Sequence, residues 1–156
     1  MGKKKARRPA RALYAPRLIV MAKSPRAGRS KRRLAASVGA ISATRFYRLC
    51  LSRTLMRLAR DPRWQTLLAV SPDSEVSAPF WPRGIERLPQ GRGDLGRRMQ
   101  RLFRRLPPGP AIIVGSDIPA IKASDIACAF RLLGNADVVF GPATDGGYWL
   151  VGLRRT

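Results

Sequence analysis

The hydrophobic positions of this chain fall into two kinds of run. Stretches 17–22, 65–71, 111–115, 137–141 and 148–153 are apolar almost throughout. Runs of that length and composition predict buried strands, and 85–88 predicts a shorter one. Between them, apolar residues recur once per helical turn. Tyr47, Leu51, Leu55 and Leu58 stack on one face of a helix over 42–60, with Arg45, Arg53, Arg57 and Arg60 opposite as a solvated face. Asp61-Pro62 ends it. Asp94 is placed to cap a second helix, with Leu95, Met99, Leu102 and Leu106 on one side and Pro107-Pro-Gly-Pro110 as its stop. A third helix runs from about 124 to 133 and closes on Gly134-Asn135. Residues 71–82 read as a loop or short helix. Apolar strands alternating with helices predict an α/β fold, a mainly parallel (mixed) sheet with helices on both faces.

Composition narrows the chemistry. The 156 residues suit one core-bearing domain, over 17–156, behind a basic tail at 1–16 in which like charges repel and Pro9 and Pro16 interrupt any helix. The tail has no apolar stretch of a secretory signal, and the chain has no run long enough to span a membrane, so the expected location is the cytoplasm. Histidine is absent, which removes histidine bases, histidine-dependent triads and histidine-bound zinc. The two cysteines, Cys50 and Cys128, form no CxxC pair and read as small core residues in a reducing compartment. Lys and Arg number 31 against 9 Asp and Glu, a net charge of +22, and no acid precedes Asp61. Such a field attracts polyanions: nucleic acid, anionic lipid or small phosphorylated ligands.

In open parallel sheets, ligands bind beyond the carboxyl ends of the strands. There, strand 17–22 runs into a basic loop, Lys23 to Arg33. Strand 111–115 runs into Ser116-Asp117-Ile-Pro119, and strand 137–141 into Pro142-Ala-Thr-Asp145-Gly-Gly147. If these strands are parallel neighbours, cations and two carboxylates share one edge, which suggests a phosphate with a divalent ion. Asp117 could instead cap a turn, and Asp145-Gly-Gly147 could simply make a hairpin. Gly91-Arg-Gly93-Asp-Leu-Gly96 imitates a dinucleotide fingerprint, but Asp94 would put negative charge where a pyrophosphate should sit. Neither a P-loop nor a GxSxG nucleophile elbow occurs.

Four motifs in order, Lys23-Ser-Pro-Arg-Ala-Gly-Arg-Ser-Lys-Arg-Arg-Leu34, Gln90-Gly-Arg-Gly-Asp-Leu-Gly-Arg-Arg-Met99, Gly115-Ser-Asp-Ile-Pro119 and Gly141-Pro-Ala-Thr-Asp-Gly-Gly-Tyr-Trp-Leu150, make the chain resemble the family called domain of unknown function 2064. That family is similar to GT-A glycosyltransferases and to nucleotidyltransferases. The resemblance implies a Rossmann-like, nucleotide-diphospho-sugar transferase (GT-A) fold and a metal-dependent transferase using a nucleotide-sugar or nucleoside-triphosphate donor, with Mg²⁺ or Mn²⁺. It implies that Lys23, Arg26, Gly28, Lys31 and Arg33 meet the nucleotide phosphates and that Asp117 holds the metal. Asp117 and Asp145 would be catalytic, and Asp94, Ser116, Pro119, Thr144, Gly146, Gly147 and Tyr148 would line the donor or acceptor pocket.

Arg32 stands where members of the family usually carry Thr, and those members continue past the Gly152-Leu-Arg stretch with a further acidic motif. A C-terminally short domain predicts an exposed apolar edge at strand 148–153 and, from it, a symmetric dimer. Besides the nucleotide donor, a small-molecule acceptor is the expected partner. The alternatives are a nucleotidyltransferase acting on a small phosphorylated acceptor, and a non-catalytic or nucleic-acid-binding basic protein. Against nucleic acid, aromatics are few and no recognition motif is evident.

Overall fold

A computed structural model describes residues 15–26 and 32–154, with the backbone alone for Arg32 and Arg33. The elements run β1 (Arg17–Lys23), α1 (Arg32–Val38), α2 (Ala40–Ala59), β2 (Gln65–Ser71), a 3₁₀ turn (Asp73–Glu75), β3 (Glu86–Pro89), α3 (Leu95–Arg105), β4 (Ala111–Gly115), α4 (Ala123–Leu132), β5 (Val138–Pro142) and β6 (Tyr148–Leu153). One six-stranded sheet has the order β3-β2-β1-β4-β6-β5. β1, β2, β3 and β4 are parallel, and β6 runs antiparallel to both of its neighbours. The α/β class, the mixed and mainly parallel sheet and the helices on both faces are as the apolar pattern predicts.

The pleat sorts the core. Leu18, Val20, Leu68, Val70, Ile112 and Val114 point to one face, where Tyr47, Leu51, Leu55 and Leu58 of α2 and Ile126 and Ala129 of α4 cover them. The alternate residues Ile19, Leu67, Ala69, Ala111 and Ile113 point to the other, against Leu102 and Phe103 of α3. Strands buried on both sides favour apolar residues at successive positions, hence the continuous runs 18–20, 67–70 and 111–114.

Several expectations need correction. Strand 137–141 reads as buried, yet β5 is the edge strand, with Val138 and Phe140 exposed. The strand expected at an open edge, β6, is inserted between β4 and β5, and Trp149 is half-buried against Gly141. An apolar groove of about 430 Å³ lies between α3 and β6, lined by Met99, Phe103, Val151 and Leu153. Neither cysteine is in the core: Cys128 is exposed and Cys50 half-buried. The loop expected to run to Arg33 gives way at Arg32 to a helix, α1, which the sequence reading did not assign. Finally, α2's arginines are not all merely solvated, because Arg57 donates to the Pro119 carbonyl at 2.9 Å.

Candidate functional site

The carboxyl ends of β1, β2, β3 and β4 meet at one rim of the sheet, and a cavity of about 440 Å³ opens there. Its floor is strand backbone and apolar side chain from Met21, Ala22, Ile113 and Val114, and its far wall holds Tyr148 and Trp149. The polar groups that reach it are Lys23, Tyr47, Gln90, Arg98, Ser116 and Asp117. Two cations, one carboxylate and three neutral polar groups line a hollow whose remaining walls are apolar, which leaves it net positive and suited to an anion with an apolar or planar part.

Three of these groups form one buried junction. Tyr47 comes from α2, and its hydroxyl sits where β1 and β4 end. It lies 3.0 Å from the Lys23 carbonyl and 3.0 Å from Ser116 Oγ, and it accepts from the Lys23 N–H at 3.2 Å. Ser116 is buried, its N–H donates to the Met21 carbonyl at 3.0 Å, and its Oγ stands 3.4 Å from Asp117 Oδ1. Tyr47 therefore ties the backbone that carries Lys23 to the segment that presents Asp117. Arg57 holds the same segment from beyond, through Pro119.

A second junction fixes Arg98. Gln90 follows β3 and is buried. Its Nε2 donates to the Ala69 and Ala22 carbonyls at 2.8 and 3.2 Å, so its Oε1 is left to accept from Arg98 Nη1 at 3.0 Å. Those two carbonyls fix which way the amide faces. Positive φ at Gly91 and Gly93, 78° and 106°, lets the chain turn from β3 into α3. A side chain at Gly91 would collide with Arg101, whose Nη1 donates to the Gln90 and Arg92 carbonyls at 3.0 Å each. This accounts for the glycine-rich imitation of a dinucleotide fingerprint: the glycines make a turn, and Asp94 caps α3 by accepting from the Arg97 N–H at 2.8 Å.

The start of the basic loop is well anchored. The Ser24 N–H donates to the Ser71 carbonyl at 2.8 Å, Arg48 Nε donates to the Pro25 carbonyl at 3.3 Å, and Arg26 pairs with Glu75 at 2.7 Å. A smaller cavity of about 180 Å³ lies beside this segment, between Lys23, Ser24, Arg26, Ser71, Pro72 and Glu75. Ser24 Oγ is buried there without a hydrogen-bond partner. A buried hydroxyl left unsatisfied is costly unless something else meets it.

Of the residues singled out from the sequence, the structure thus brings Lys23, Ser116, Asp117 and Tyr148 to the main cavity. Arg26 lines the smaller one. Asp94 is exposed at its cap, and Pro119 lies just past the Asp117 segment. Thr144, Asp145, Gly146 and Gly147 are exposed in the turn between β5 and β6, closed by Ala143 N–H to Gly147 O at 2.9 Å and by Gly147 N–H to Asp145 Oδ1 at 3.1 Å. Gly28 and Lys31 lie outside the described residues, as does the Arg33 side chain. Sequence reading missed Tyr47, Gln90 and Arg98.

Burial pushes the Tyr47 hydroxyl above the ordinary tyrosine value; its bond with Ser116 opposes this, the Asp117 charge adds to it, and the Lys23 backbone opposes it. The folded chain therefore holds this proton to higher pH than the unfolded chain does. Its contribution to stability is complete below about pH 10 and is lost as pH rises through the folded value, by at most about 1.4 kcal/mol per pH unit. Urea titrations of wild type and Tyr47→Phe should show a wild-type advantage that is constant from pH 7 to 9 and shrinks above pH 10. An advantage that grows with alkalinity would refute the burial of this proton.

Among the described residues, no cluster of three or more His, Cys, Asp or Glu side chains could cage a metal. The donor set suits a hard divalent cation in one way. Asp117 is an exposed carboxylate at the cavity, and Mg²⁺ commonly takes one or two carboxylates, several waters and substrate phosphates.

Residues 54–156 match the family described as uncharacterized protein conserved in bacteria (DUF2064). The chain belongs to the DUF2064 family. No protein of curated function matches it. Seven chains of solved structures do. One is the crystal structure of a proposed nucleotide-diphospho-sugar transferase from Desulfovibrio desulfuricans G20, with 29% identity and a TM-score of 0.77. The alignment covers 90% of this DUF2064 chain and 64% of that protein, so the present chain spans less than two thirds of its relative's length. The sheet and helices of this DUF2064 member are thus those of a nucleotide-diphospho-sugar transferase fold. Among the described residues, no helix is long and apolar enough to cross a membrane.

Proposed function

We propose that this DUF2064 protein is a metal-dependent transferase that takes a nucleotide-sugar or nucleoside-triphosphate donor in the cavity at the rim of the sheet. The observation that carries this reading is the convergence of Lys23, Arg98 and Asp117, from three separate elements, on one hollow with an apolar floor. The likeness to a proposed nucleotide-diphospho-sugar transferase supports the same reading.

Lys23 and Arg98 would receive the donor's phosphates. In such a transfer the acceptor's nucleophile attacks the donor: with a nucleotide sugar the bond from the sugar to the diphosphate breaks and a nucleoside diphosphate leaves, and with a nucleoside triphosphate the α–β phosphoanhydride breaks and pyrophosphate leaves, each carrying its charge. Arg98, held by Gln90, meets that charge with little reorganisation, and Lys23 adds a second positive charge from a backbone that Tyr47 fixes. Asp117, its segment tethered by Ser116, Tyr47 and Arg57, would hold Mg²⁺ or Mn²⁺ together with phosphate oxygens; the ion would supply further neutralisation of the leaving group.

The test is calorimetric titration with a panel of nucleoside diphosphates, triphosphates and nucleotide sugars, each with and without Mg²⁺ or Mn²⁺. At least one class should bind saturably and more tightly with metal. Absence of saturable binding to every member at millimolar concentration would contradict the reading.

A further inference from the structure

α2 is apolar on two opposite faces. One carries Tyr47, Leu51, Leu55 and Leu58 into the core. On the other, at 100° per residue, Ile41, Leu49 and Met56 fall within about 80° of one another, with Phe46 at their flank. These four side chains are 66, 50, 40 and 55% exposed in the order Ile41, Leu49, Met56, Phe46. The polar residues interleaved with them are cationic or neutral: Arg45, Arg53 and Arg60 are exposed on this side, beside Ser42 and Ser52. No carboxylate occurs on the helix, and none occurs anywhere before Asp61. None of the three cavities described above reaches these apolar residues. Among the described residues, these side chains stand on the outward face of α2.

We propose that this face of α2 docks on an anionic lipid bilayer. An apolar stripe flanked by arginines, on a helix lying along the protein surface, has the arrangement of interfacial helices, whose apolar residues enter the headgroup boundary while cations meet anionic lipids. Charge complementarity selects that surface: each basic residue near an anionic leaflet adds attraction, and the whole chain carries +22. Apolar side chains standing outward from a convex helix face suit a deformable planar partner. The proposal is independent of the transferase reading, since the core-facing side of the same helix holds Tyr47 at the cavity.

The experiment is co-sedimentation of the full chain with phosphatidylcholine vesicles containing or lacking phosphatidylglycerol, at 0.1 and 0.5 M NaCl. The expected result is partitioning onto the anionic vesicles alone, weakened by salt. The deciding variant is Ile41→Ser/Leu49→Ser/Met56→Ser, which leaves the charge unchanged. Burial of those half-exposed side chains should contribute enough that the variant partitions at least about tenfold more weakly. Circular dichroism and a thermal melt establish that it is folded, and three single variants replace it if it is not. Equal partitioning of folded variant and wild type would overturn the proposal, leaving electrostatic attraction of the basic tail. No binding to anionic vesicles, or displacement of bound protein by an acidic polypeptide at equal charge concentration, would overturn it too.

Discussion

Replacing Lys23 and Arg98 together by alanine is expected to weaken nucleoside-diphosphate binding by about a hundredfold or more. Each would make a charge-assisted contact worth on the order of 1.5–3 kcal/mol, and every 1.4 kcal/mol is tenfold in affinity. Arg98 depends on Gln90, whose Oε1 accepts its Nη1 at 3.0 Å. Gln90→Leu should therefore lose much of what Arg98→Ala loses. Calorimetry on the single and double variants checks this. Wild-type affinity in the double variant would place the phosphates elsewhere.

Leu55→Ala should be the most damaging of the simple substitutions for the fold. Leu55 is fully buried, on the α2 face that packs over the sheet. Truncating a buried leucine costs about 2–5 kcal/mol through lost transfer energy and the cavity left behind. With a urea dependence of about 1–3 kcal/mol per molar, the denaturation midpoint should fall by about 0.7 M or more. Leu49→Ala, on the same helix but half exposed, should change stability by about 0.5 kcal/mol or less. Equal losses at the two positions would mean that the helix is turned the wrong way round.

Both assignments show what the sequence made legible. The continuous apolar runs gave β1, β2 and β4 because the centres of strands buried on two faces favour apolar residues in succession, and the 4-4-3 spacing of Tyr47, Leu51, Leu55 and Leu58 gave the inner face of α2. Other features follow from pairing between distant segments. Nothing local to 137–153 says that β6 returns antiparallel between β4 and β5, so β5 read as buried when it is the edge. α1 was hidden behind the Pro and Gly of the basic loop. At the rim, Asp117 was legible because an acid directly follows a buried strand. Tyr47 was not: its periodicity marks it as core, and only the meeting of β1 and β4 beneath its hydroxyl makes it part of the site. Arg98 was one arginine among several on α3, singled out by the Gln90 amide alone. Asp94 and Asp145 are local capping and turn residues in the structure, a role that Asp beside Gly signals as readily as it signals chemistry.

The most direct test of the central claim is the metal dependence of nucleotide binding in wild type and Asp117→Asn. The substitution keeps the size of a residue that is exposed at the rim and removes only its charge. Wild type should bind its nucleotide more tightly in Mg²⁺ or Mn²⁺ than in chelator, and Asp117→Asn should bind with the same weak affinity in both. Equal metal enhancement in the two proteins would contradict the account.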